Sequence, residues 1–152
     1  MPSPKTSINH IVTLFPQPTD MTCWSAATTM LFGDRSIGAG SAQTGENGGL
    51  KSDFDNIQVF AQAHGLTMYA PQSWSVEGLI RLLRRGPFVM MGRMPNAHAV
   101  VVAGIQSDGS AAGTYLTIYD PWPPNVGKIQ RGLRYDQLMQ QFPLVSMYVL
   151  QR

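Results

Sequence analysis

Apolar positions change their spacing partway along the chain. From Asp20 to Leu83 they mostly recur three or four residues apart; from Phe88 onward they form short runs or alternate. Across Asp20–Phe32, Trp24, Ala27 and Leu31 share one helical face, with Asp20 or Thr22 as the cap and Gly33 as the stop. Cys23 thus falls in the first turn of a buried helix. A second helix is capped by Ser52 or Asp53, carries Phe54, Ile57, Phe60 and Ala61 on one face, and closes at His64-Gly65. A third is capped by Ser75, buries Leu79, Leu82 and Leu83, and ends at Gly86-Pro87.

Strand patterns fill most of the rest. Ile8–Leu14 alternates loosely and reads as a first strand, ended by Pro16 and Pro18. Leu66–Ala70 reads as a short strand. Phe88–Met91, His98–Ile105 and Tyr115–Tyr119 follow, the last two joined by the turn signal Asp108-Gly109. Lys128–Leu133 and Leu144–Leu150 complete the set, with a short helix over Tyr135–Gln141 between them. Helices first and an antiparallel sheet second is the α+β pattern. The five glycines between Gly38 and Gly49 mark a loop.

With 152 residues, the chain is read as one domain spanning 1–152, long enough to hide roughly 70% of its unfolded surface. Net charge is only +2, and the one basic cluster, Arg81, Arg84, Arg85 and Arg93, reads as a solvated face. Nucleic acid is therefore not an expected partner. No apolar run approaches the roughly 18 residues of a membrane span, so no membrane role is expected. Residues Met1–Ser7 lack the apolar core of a Sec signal peptide. The expectation is a cytoplasmic protein, or one delivered by a route that reads no such signal.

The chemical inventory is small. A single cysteine excludes an intrachain disulfide and a Cys-rich zinc site. No His and carboxylate cluster has metal-ligand spacing, and the glycine-rich Gly45–Lys51 lacks the ending of a phosphate loop. Neither a metal nor a cofactor is expected.

Cys23 has the setting of a nucleophile, because a helix N-terminus favours the thiolate. Such a thiol needs a base, and the base an orienting partner. His98, at the start of an apolar strand, is the best-placed base. Asp120 ends the next strand, and antiparallel neighbours bring the start of one beside the end of the other. Asp120 is then placed to hold the imidazole tautomer. Gln17, six residues before Cys23, can donate to an oxyanion beside the Cys23 N–H. His10 and His64 read as non-catalytic.

Those residues carry a resemblance. Gln17-Pro18-Thr19-Asp20-Met21-Thr22-Cys23-Trp24-Ser25-Ala26 resembles the nucleophile motif of papain-like cysteine proteases. His98–Ile105 is similar to that family's histidine strand. Leu116–Trp122 looks like the strand-then-Asp-Pro element of its compact bacterial branches, and Leu82–Val89 like their Gly-Pro strand entry. The order Cys, His, Asp and the short Cys–His gap favour those branches. The nearest groups are the AvrRpt2-type effector proteases and, more distantly, the double-glycine leader peptidases; Trp24 favours the first.

The resemblance implies a papain-like fold with an N-terminal helical part, its nucleophile helix packed on a C-terminal antiparallel sheet. It implies Cys23 as nucleophile, His98 as base and later acid, Asp120 as orienting residue and Gln17 in the oxyanion hole. Trp24 and Trp122 would line or shield the cleft. The expected activity is that of an endopeptidase, acting as a bacterial effector or antibacterial toxin on specific cytosolic proteins, with a cognate immunity protein as a further partner. Two alternatives share the triad: a leader-processing peptidase and an acyl transferase of transglutaminase or amidase type.

Overall fold

The computed structural model describes residues 6–14, 27, 30–31, 58, 61–63, 65–70, 74–92, 99–121, 126–141 and 147–152. In chain order these residues contain β1 (Thr6–Asn9), β2 (Thr67–Tyr69), α1 (Val76–Arg85), β3 (Phe88–Gly92), β4 (Ala99–Ser107), β5 (Thr114–Asp120), β6 (Lys128–Arg134), α2 (Tyr135–Gln141) and β7 (Met147–Gln151). Ala27, Met30, Leu31, Gln58 and residues 61–63 are also helical. The seven strands form one sheet in the order β2-β7-β3-β4-β5-β6, with β1 also on β4. Every pairing among them is antiparallel. The protein therefore has mixed helix and strand content with an antiparallel sheet.

Helices and strands are interleaved rather than segregated, because β1 and β2 join the sheet that the later strands build. β1 is also shifted from the expected Ile8–Leu14. It covers Thr6–Asn9, and Ile11 is 99% exposed. The partner strand decides this. β4 is nine residues long, and β3 pairs only with its first half, through Phe88↔Val102 to Met91↔Ala99. β1 fills the other half, from Thr6↔Ser107 to Asn9↔Gly104. Gly104 makes that approach feasible, since a Cβ there would stand 2.9 Å from the Ile8 carbonyl oxygen.

The sheet carries a buried cluster on each face. Val89, Ala99, Val101, Ala103, Tyr119 and Leu150 belong to one, which includes Ala27, Met30, Leu31 and Ala61. Phe88, Met90, Val100, Val102, Ile118 and Val149 belong to the other, with Leu79, Ile80, Leu82 and Leu83 of α1 and Leu138 of α2. Alternation along β3, β4 and β5 sorts these residues, as the period of two requires. A bulge at Ala103 shifts the register, so that Val102 pairs with Ile118 but Gly104 with Thr117. Val102 and Ile105, three apart, consequently share the α1 face.

α1 follows its sequence signals. The Ser75 side chain accepts from the Gly78 N–H at 3.0 Å, Glu77 lies in the first turn, and Arg84 and Arg85 lie in the last. Arg81, Arg84 and Arg85 are exposed, as a solvated face should be. The carbonyls at the far end find outside partners. The Leu82 oxygen accepts from Gly86 N–H and from Gln151 Nε2, the latter at 2.6 Å. Gln151 Nε2 also donates to the Gly86 oxygen at 3.0 Å. The His10 ring meets the Leu83 carbonyl, while the His10 backbone N–H donates to Ala103 oxygen at 2.9 Å. The end of α1 is thus tied to β4 and β7 by side chains.

Candidate active site

β5 brings a carboxylate to the end of the sheet. Asp120 is its last residue and is only 5% exposed, between the buried Tyr119 and Pro121. An ionised carboxylate at that depth is costly unless it is paired, and Asp120 does engage a partner. The strand beyond it turns back within a few residues to β6, where Lys128 stands opposite Asp120. Gly127 makes that return close: φ is +66°, and a Cβ there would lie 3.1 Å from the Asp120 carbonyl oxygen. It would also lie 3.2 Å from Leu14 Cδ2. The segment after β1 therefore reaches the same end of β5, and Leu14 lies three residues before Gln17.

β4 and β5 are neighbours and antiparallel, with Val101 opposite Tyr119 and Val102 opposite Ile118. The first residues of β4 are accordingly beside the last residues of β5. β4 opens at Ala99, and both Ala99 and Val100 are fully buried. Of the residues singled out from the sequence, Asp120 is thus placed. Gln17, Cys23, Trp24, His98 and Trp122 lie outside the described residues, as do His64 and Arg93. His10 is described, and its ring is occupied at the Leu83 carbonyl.

This frame is an antiparallel sheet with a buried acid at a strand end, beside the opening of the strand that His98 precedes in sequence. It suits a thiol hydrolase of the papain-like class. Comparison with family models gives the same class: residues 6–134 match the family described as papain-like cysteine protease AvrRpt2. The match covers most of the chain and contains Gln17, Cys23, His98 and Asp120. The chain belongs to that family and is a hydrolase of peptide bonds. A comparison with curated proteins found no match.

Proposed function

We propose that the chain is a cysteine endopeptidase with a Cys23, His98 and Asp120 triad. The Cys23 thiol gives its proton to His98, and the thiolate attacks the carbonyl carbon of the scissile bond. His98 returns that proton to the leaving amine. Water, deprotonated by His98, then releases the acyl group from sulfur and restores the thiol. Asp120 accepts from the imidazole N–H and holds the ring in the tautomer that faces the thiol. Gln17 and the Cys23 backbone N–H donate to the oxyanion. Trp24 and Trp122 flank the cleft.

The burial of Asp120 at the end of β5, next to the opening of β4, carries this reading. Ala27, Met30 and Leu31 support the nucleophile helix as a sheet-packed element, because they share a buried cluster with Ala99, Val101 and Tyr119. The protein acts as a bacterial effector or antibacterial toxin on selected cytosolic proteins, and a cognate immunity protein covers the cleft in the producing cell. A chain with one cysteine suits reducing cytosol, since no intrachain disulfide is at risk there.

The test is mass spectrometry of new protein N-termini in bacteria expressing wild type or Cys23→Ala. New termini with wild type alone support the endopeptidase and reveal target and motif. Identical termini in both strains overturn it.

A further inference from the structure

The sheet carries a second concave feature, away from Asp120. A cavity of about 390 Å³ is bounded by residues of four adjacent strands: Ser7 and Asn9 of β1, Gln106 of β4, Tyr115 and Thr117 of β5, and Arg131 of β6. A neighbouring cavity of about 510 Å³ shares Ser7, Gln106 and Tyr115 and runs on toward Asp108 at the β4–β5 hairpin. Together they form one trough.

The register explains its shape. Ser7, Gln106 and Tyr115 form one cross-strand row, and Asn9, Gly104 and Thr117 form the next. The second row has no side chain at Gly104, where β1 comes too close for a Cβ. At its outer end Gly132, in the β6 bulge at φ +73°, has open space where a Cβ would project. Gly132 therefore leaves the floor open at the β6 end, between polar walls.

The walls have unused polar capacity. Among the described residues, no side chain of these six makes a hydrogen bond or ion pair. Arg131 is the one charged residue of the first cavity and is exposed. Tyr115 is 40% exposed and offers an aromatic surface beside the amides of Asn9 and Gln106. Asp108 stands at the opposite end. A ligand carboxylate is thus attracted at the β6 end and repelled at the hairpin end.

Crossing from β1 to β6 takes three strand spacings, about 14 Å, which matches about four residues of extended chain. Thr117 is three residues from Asp120 on the same strand, about 10 Å away. We propose that this trough is a docking site for an acidic, extended stretch of the polypeptide substrate, separate from the cleft in which the bond is cut. It rests on the peptide-hydrolase activity of the family and adds where and by what chemistry a protein substrate is held.

The experiment removes catalysis and measures binding. The full chain with Cys23→Ser is titrated with a fluorescein-labelled pentapeptide of alanine, serine and one glutamate, and with its glutamine counterpart. Binding is followed by fluorescence polarisation and by NMR shifts of backbone amides. The glutamate peptide should bind more tightly and shift the amides of Asn9, Gly104, Thr117 and Gly132. Arg131→Glu should weaken it by about tenfold or more. Arg84→Glu makes the same charge change on the exposed side of α1, across the sheet from the trough, and should leave binding unchanged. Equal losses in the two variants, shifts elsewhere, equal binding of the two peptides or no binding would each overturn the proposal. Because no bond is cut, failure here is distinct from failure of the triad.

Discussion

Gly104 of β4 and Ile8 of β1 approach so closely that a methyl group on Gly104 would stand 2.9 Å from the Ile8 carbonyl oxygen. That distance is under van der Waals contact, and the obstacle is backbone. β1 can relieve it only by moving off β4. Gly104→Ala should therefore destabilise the fold by about 1–3 kcal/mol, on the scale of other overpacked sites. A urea titration reads this as a lower midpoint; an unchanged midpoint would mean that β1 contributes little.

Leu83 of α1 is fully buried among sheet residues. Leu83→Ala leaves a cavity as well as losing apolar contact, and should cost about 2–5 kcal/mol. Arg84→Ala, one residue on and exposed, should change stability by less than about 0.5 kcal/mol. Thermal melts of the two variants check the contrast.

Gln151 is 1% exposed, and its amide nitrogen serves two carbonyls at the end of α1. Replacing it with leucine keeps the bulk but strips both carbonyls of that donor. The Leu82 oxygen keeps the Gly86 N–H and leucine also removes the buried, unpartnered Gln151 Oε1, so the expected loss is about 0.5–1.5 kcal/mol. Equal unfolding midpoints for wild type and Gln151→Leu would contradict it.

Asp120 separates a positioning role from a chemical one. Asp120→Asn keeps an acceptor for the His98 ring, whereas Asp120→Ala has none. Turnover of a cleavable protein should fall in both variants and more in the alanine variant. Gln17→Ala should lower turnover by on the order of 10²–10³-fold with a smaller change in KM. Cys23→Ala should be inactive. Wild-type turnover in Asp120→Ala would remove that residue from the triad.

Local signals were readable where the answer was local. Ser75, the leucines of α1 and Gly86-Pro87 mark a helix with both its ends, and Val76–Arg85 is that helix. The β4–β5 neighbourhood followed from Asp108-Gly109 between two apolar runs, and with it the position of Asp120. Pairings between distant segments were not readable. Nothing in Thr6–Asn9 announces that it completes β4, because the vacancy belongs to Gly104 and to the short reach of β3. The trough was hidden for the same reason: Ser7, Asn9, Gln106, Tyr115, Thr117 and Arg131 are ordinary surface residues until register gathers them. The protease family was readable because Gln17, Cys23 and Trp24 stand in one local pattern of sequence.

β7 is the last of the described strands in the chain, yet it occupies an interior place between β2 and β3. On the ribosome, β2 lacks its partner β7 until Met147–Gln151 has emerged, and the carbonyls at the end of α1 lack their Gln151 donor until the same moment. The nascent chain is held back from its finished form by a contact more than 80 residues long in sequence, between Thr67 and Gln151. For an enzyme that cuts polypeptides, this order of events delays the completed sheet until Met147–Gln151 has been made.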